Sequence, residues 1–199
     1  MIIHTWLAEV SALHEENIYQ EYYEKVPDFR KEKADRARMQ RDKALSVGAW
    51  TLFERMKKEY HLQDPVLYNL SHSGNYVLCT IAIGNDAQNQ LGCDLEAIGK
   101  EHDAIAKKYF TPEEQAEEFY RIWVLKESFM KATRMGMKLP IHAFSFAFDE
   151  NNRAYLKKQP EQFSKQYYFK EYELEELAYK IAVCADCDAF AEEIQLVKL

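Results

Sequence analysis

The strand-like segment Leu91-Gly92-Cys93-Asp94-Leu95-Glu96 carries two carboxylates two residues apart. Successive strand side chains point to opposite faces, so Leu91, Cys93 and Leu95 share one face while Asp94 and Glu96 share the other, about 7 Å apart at Cα. Carboxylates so placed repel each other unless water or a cation lies between them, and all-oxygen ligation favours Mg²⁺, Mn²⁺ or Ca²⁺ over zinc. Standing alone, such a pair is ordinarily a solvated strand face. In Trp123-Val124-Leu125-Lys126-Glu127-Ser128-Phe129-Met130-Lys131, helical spacing puts Ile122, Leu125, Phe129 and Ala132 on a core stripe. Trp123, Glu127, Lys131 and Arg134 form another. Glu127 and Lys131 stand in the order that suits a surface ion pair of about 0.2–0.5 kcal/mol, but a tryptophan one turn earlier makes the stripe partly buried. The third constellation, Asn69-Leu70-Ser71-His72-Ser73-Gly74, ends a strand, where backbone N–H groups and short polar side chains can face a phosphate. Ser71 and His72 are adjacent and point to opposite faces, which argues against a nucleophile and its base. Cys184-Ala185-Asp186-Cys187 has neither a second CxxC nor an HxxxH beside it, so it reads as the end of a buried strand and its exit, dispensable for chemistry.

These residues need elements to hold them. Residues 2–10 read as a strand and 15–26 as a helix with Ile18, Tyr22 and Val26 at fours. From Ala34 to Tyr60 the apolar residues Leu45, Ala49, Leu52, Phe53 and Met56 mark one long helix with a single buried face. VLYNL and NYVLCTIAIG predict two strands with a tight connection, a Gly84-Asn85-Asp86 turn follows, and 90–96 is a third strand. Thr111-Pro112-Glu113-Glu114 has the pattern of a capping box and predicts a helix running, with a bend, to about Arg134. Beyond Pro140, AFSFAFD, QYYFKEYEL, YKIAVCA and IQLVKL read as strands. A long helix followed by antiparallel strands thus occurs twice. The expected fold class is α+β, a pseudo-dimer of two similar lobes, each a long helix packed on a small antiparallel sheet, spanning 1–98 and 99–199.

The chain has 199 residues, 47% hydrophobic and 30% charged, an ordinary globular balance. No apolar run reaches about 18 residues and the first residues lack a basic segment followed by a long apolar one, so neither a membrane span nor secretion is expected. Four cysteines at this length predict a reducing, cytoplasmic setting. A net charge of −7 argues against nucleic acid as the partner. Against that background Arg30, Lys31, Lys33, Arg36, Arg38, Arg41 and Lys43 make residues 30–43 net +4.

Taken in order and with their gaps, NLSHSGNYVLCTIA, LGCDLE and WVLKESFMKATRMGMKLP resemble the 4′-phosphopantetheinyl transferases, of the longer, two-lobed surfactin-synthetase-activating type. The resemblance implies transfer of the phosphopantetheine arm of coenzyme A to a serine of an acyl or peptidyl carrier protein, releasing adenosine 3′,5′-bisphosphate. It implies Mg²⁺, with Mn²⁺ as a substitute, held by Asp94, Glu96 and Glu127. Glu127 is then the candidate base for the carrier serine, and Lys131 offsets charge at the departing phosphate. Lys126 is a second electrostatic contact, Ser71 and His72 are contacts to coenzyme A phosphate, and Arg30, Lys33 and Lys43 are candidates for its 3′-phosphate. Leu45, the stretch His61-Leu62-Gln63-Asp64-Pro65 and Ile98 depart from the arginine, the Gly-Lys-Pro segment and the threonine common there. One chain can supply both walls of a cleft, so a monomer is expected. Two other activities could use the same residues: a metal-dependent phosphoesterase acting on water, and a catalytically silent module that binds coenzyme A or a carrier.

Overall fold

The computed structural model describes residues 1–84, 88–99 and 102–199. In chain order its elements are β1 (Ile2–Glu9), α1 (Glu16–Tyr23), α2 (Asp28–Asp35), α3 (Gln40–Glu59), β2 (Leu67–Ser73), β3 (Tyr76–Ile83) and β4 (Leu91–Ala97). They continue with α4 (Asp103–Tyr109), α5 (Phe119–Ala132), β5 (Ser145–Phe148), β6 (Ala154–Lys158), β7 (Tyr168–Tyr172), β8 (Tyr179–Ala185) and β9 (Gln195–Lys198). The mixed α+β class is as expected. Of the predicted turn at Gly84-Asn85-Asp86, Gly84 has a positive φ of 73°, while Asn85 and Asp86 lie outside the described residues.

Alternation along the strands builds the layers. One face of β1 and β3, with Trp6, Ala8, Val77, Cys79 and Ile81, packs against Leu45, Ala49, Leu52, Phe53 and Met56 of α3. The other face, with Ile3, Leu7 and Leu78, packs against Leu91, Cys93, Leu95, Ile181 and Val183 of β4 and β8. Ala182 and Cys184, on the far side of β8, meet Ile122, Leu125 and Phe129 of α5. The order of layers is therefore α3, a sheet β2-β3-β1-β9, a sheet β4-β8-β7, and α5. Burial of such faces, at about 25 cal/mol per Å² of apolar surface, is the main force holding the layers together.

The structure corrects four expectations. The sheets do not divide at residue 98. β4 pairs antiparallel with β8, and β9 returns to pair with β1, so each segment lends a strand to the other's sheet. The β1–β9 pair is parallel, and the first sheet is therefore not purely antiparallel. The predicted helix from Ala34 to Tyr60 is broken, because residues 36–39 leave the helix and Met39 is extended (φ −94°, ψ 137°). The break folds α2 back against α3 and brings the Arg30 guanidinium over the Trp50 ring, 4.7 Å from its centroid. The capping box does form: the Thr111 N–H donates to Glu114 Oε2 at 2.9 Å and the Glu114 N–H to Thr111 Oγ1 at 3.3 Å. It closes only a short 3-10 turn, Glu114–Ala116, and α5 starts at Phe119.

Gly92 sets how near α5 can come. A Cβ at this position would lie 2.2 Å from the Ser128 carbonyl oxygen and 2.3 Å from the Ala132 nitrogen, both backbone atoms. Only glycine lets β4 touch the helix that carries Glu127 and Lys131.

Candidate functional site

A cleft of about 400 Å³ opens at β2, the edge strand of the first sheet. Its two walls come from the two sides of that strand. Leu70 and His72 join Ser46 and Ala49 of α3 and Arg30 and Lys33 of α2, while Ser71 faces Asp94 and Glu96 of β4 and Trp123, Glu127 and Lys131 of α5. Two larger hollows, about 580 and 670 Å³, lie in the second half around Tyr155 and Tyr168 and around Arg121. In the latter Arg121 is already committed to Glu171 and Asn152.

Asp94 is buried, and its Oδ1 receives the Lys131 ammonium at 2.6 Å and the Ser71 hydroxyl at 2.8 Å. Lys131 also donates to Ser71 Oγ at 2.9 Å, so the three groups close a triangle. The expected partner of Lys131 on the helix, Glu127, is left free of it as an ion pair, because Asp94 offers a shorter and more buried contact. Asp94 Oδ2 is buried with no hydrogen-bond partner. Glu96 accepts from the Ser73 hydroxyl at 2.7 Å and from the Trp123 indole.

The charges interact as their crowding requires. Burial pushes the Glu127 carboxyl above its usual range, the Asp94 and Glu96 charges add to this, and Lys131 opposes it. Burial likewise raises Glu96, with Asp94 adding to the shift and the Ser73 hydroxyl working against it. Burial disfavours the Lys131 ammonium, but the Asp94 charge and the hydrogen bond to it outweigh that cost and its pKa is raised. On the opposite wall, loss of hydration and then Lys131 and Lys33 push His72 below its usual value. Burial, Arg30 and Lys131 lower Lys33. Carboxylates thus crowd one wall and cations the other, with Lys131 between them. Such shifts are common where ionisable groups gather to do chemistry.

Of the residues singled out in the sequence, the cleft brings together Arg30, Lys33, Ser71, His72, Asp94, Glu96, Glu127 and Lys131. Two do not join them. Lys126 is turned into the core, 1% exposed, with its ammonium 2.9 Å from Glu114 Oε1 and donating to the Phe144 and Ile141 carbonyls. It is a structural cation and not a coenzyme A contact, because adjacent helix positions point about 100° apart. Lys43, in the first turns of α3, is not among the side chains lining the cleft. Sequence reasoning missed Ser46, whose buried hydroxyl faces the cleft without a partner, as does the Arg30 Nε. A serine inside an otherwise apolar helix face was the available signal.

Among the described residues no group of three His, Cys, Asp or Glu side chains is close enough to form a closed metal cage. Asp94, Glu96 and Glu127 nevertheless share the cleft, and Asp94 keeps one buried oxygen unpartnered. That suits Mg²⁺, which typically takes one or two carboxylates and completes its shell with water and substrate phosphate.

Residues 90–184, which hold β4, α5 and β8, match the family model of the 4′-phosphopantetheinyl transferase superfamily. The chain is also 33% identical over 141 residues to the 4′-phosphopantetheinyl transferase Sfp of Bacillus subtilis (strain 168), covering 65% of this chain and 59% of that protein. Over residues 90–184 this chain is similar to the 4′-phosphopantetheinyl transferase superfamily. Other relatives of the superfamily are the transferase gsp of Aneurinibacillus migulanus (32% over 88 residues, 39% of this chain and 35% of that one) and HetI of Nostoc sp. (34% over 88 residues, 38% and 35%). The chain spans 59% of the length of the Bacillus subtilis relative Sfp. No helix among the described residues is long and apolar enough to cross a membrane.

Proposed function

We propose that this protein transfers the 4′-phosphopantetheine group of coenzyme A to a serine hydroxyl of an acyl or peptidyl carrier protein and releases adenosine 3′,5′-bisphosphate. The observation that carries the reading is the single cleft in which Asp94, Glu96 and Glu127 face Arg30, Lys33 and His72 across Lys131. The cationic wall suits a nucleotide phosphate, and the acidic wall suits a cation shared with the diphosphate.

Mg²⁺, or Mn²⁺ in its place, would be held by Asp94 through its unpartnered Oδ2, by Glu96 and by Glu127, and when bound it supplies neutralisation of the phosphate charge. Glu127 takes the proton of the carrier serine at its carboxylate, directly or through water. The serine oxygen forms a bond to the phosphorus that bears pantetheine, and the bond from that phosphorus to the bridging oxygen breaks. Lys131 stands beside this oxygen and offsets the charge that leaves on adenosine 3′,5′-bisphosphate. Arg30, Lys33 and His72 bind and orient the nucleotide side. In this reading residues before β4 supply the cationic wall, residues from β4 onwards the acidic one, and a cytoplasmic monomer suffices.

Intact-protein mass spectrometry of a panel of fatty-acid, polyketide and peptide-synthetase carriers, incubated with coenzyme A and Mg²⁺, tests the reading. The expected result is a carrier heavier by one phosphopantetheine, with acceptor required. Release of nucleotide without a carrier would favour the phosphoesterase, and coenzyme A binding with no reaction would favour the silent module.

A further inference from the structure

Among the described residues β4 has a strand partner on one side only, β8, so its other edge presents backbone donors with no ladder to join. These donors are met by side chains of β2, a strand of the other sheet. The Cys93 N–H donates to Asn69 Oδ1 at 3.1 Å, and the Ala97 N–H to Ser73 Oγ at 3.1 Å. Ser73 turns its own proton to Glu96 Oε2 at 2.7 Å, and Ser71, midway between, gives its proton to Asp94 Oδ1 at 2.8 Å. Asn69, Ser71 and Ser73 are alternate residues of one strand and therefore share a face. Both serine hydroxyls have spent their only proton on a carboxylate, and neither has one left for a phosphate oxygen.

We propose that Asn69 and Ser73 are positioning residues, the two ends of a polar ladder that fixes the β4 edge across the seam between the sheets and aims the cation-facing carboxylates. The proposal rests on the transferase reading of the cleft. Asn69 holds the strand backbone just before Asp94. Ser73 holds it just after Glu96 and also binds Oε2 of that carboxylate. Without Ser73, less holds Glu96 in the cleft against repulsion from the nearby Asp94 and Glu127 charges, and the Trp123 indole is left as its hydrogen-bond partner. Removing such an outer partner typically lowers metal affinity 10–100-fold.

The test uses the full chain with Ser73→Ala, Ser73→Thr and Asn69→Ala, read by Mn²⁺ titration in electron paramagnetic resonance, by amide hydrogen exchange, and by coenzyme A binding without metal. Ser73→Ala is expected to weaken Mn²⁺ binding at least tenfold and to speed exchange at Ala97, with coenzyme A binding within twofold of the parent. Ser73→Thr restores both because it keeps the hydroxyl. Asn69→Ala is expected to speed exchange at Cys93 and to weaken Mn²⁺ binding without touching a carboxylate. Unchanged Mn²⁺ affinity in Ser73→Ala and Asn69→Ala, with weaker coenzyme A binding, overturns the ladder alone and makes these side chains ligand contacts. A parent protein that binds no Mn²⁺ overturns the transferase reading and the ladder with it.

Discussion

Glu127 and Asp94 share a cleft but differ in what surrounds them, and substitution separates their tasks. Asp94 is tied to Lys131 and Ser71, so Asp94→Ala removes the carboxylate proposed to hold the cation and leaves Lys131 without its ion pair. The expected outcome is a higher Mg²⁺ requirement in the carrier assay, with coenzyme A binding in the absence of metal little changed. Glu127→Gln keeps the shape and deletes the proposed proton acceptor, so turnover should fall roughly 10²–10⁴-fold while coenzyme A still binds. Near-normal transfer by Glu127→Gln at saturating Mg²⁺ would move the base elsewhere, first to Glu96. His72 gives a pH signature. Its pKa is lowered in the folded protein by lost hydration and by Lys131 and Lys33, so protonation favours the unfolded chain. The stability it contributes is present above its ordinary value of about 6.5 and is lost as pH falls through the folded value. Thermal unfolding between pH 5 and 8 should therefore lose part of its pH dependence in His72→Gln. In the parent protein, imidazole titration by NMR should shift upward when a phosphate ligand binds.

At the scale of elements, two contacts test why β4 and α5 sit where they do. Gly92→Ala drives a methyl into two backbone atoms of α5, which cannot rotate away as a side chain can. A loss of about 1–3 kcal/mol is expected from chemical denaturation, together with weaker cation binding as β4 moves off the helix. Lys126→Met leaves Glu114 buried without its cation, although the Thr111 and Phe146 N–H groups still donate to it. Breaking a buried pair from one side costs about 3–5 kcal/mol, so denaturation should find a severe loss, with KM for coenzyme A unchanged in the protein that remains folded. The Lys126 result bears on what the sequence could reveal. Period-two alternation was enough to put Asp94 and Glu96 together and to set Ser71 and His72 apart, because strand geometry is local. The helix stripe likewise placed Glu127 and Lys131. The fate of Lys126 depended on Glu114, twelve residues away, whose capping-box role is legible but whose burial is not. The break before α3 carries neither proline nor glycine, and only the packing of Arg30 on Trp50 shows what it accomplishes.

For the whole molecule, the seam between the sheets is the feature least visible in the sequence and most consequential for stability. Nothing local in Gln195–Lys198 announces that it will lie parallel to Trp6–Glu9, since parallel pairing joins segments with the entire chain between them. The twofold occurrence of a long helix followed by antiparallel strands suggested a division near residue 98, yet the strands on either side of it belong to each other's sheets. Cutting the chain there leaves β4 in the first fragment without β8, takes Ile181 and Val183 off the face of the first sheet that they share with β4, and removes Val197 and Leu199 from its α3 side. Neither fragment retains a complete sheet to bury against its long helix. The expected outcome is that fragments 1–98 and 99–199 show little cooperative unfolding when produced separately, regain a sigmoidal transition when mixed, and that the intact chain melts in one step by calorimetry and circular dichroism alike. Two transitions in the intact chain, each reproduced by one fragment alone, would show instead that the shared strands contribute little and that the lobes are independent folding units.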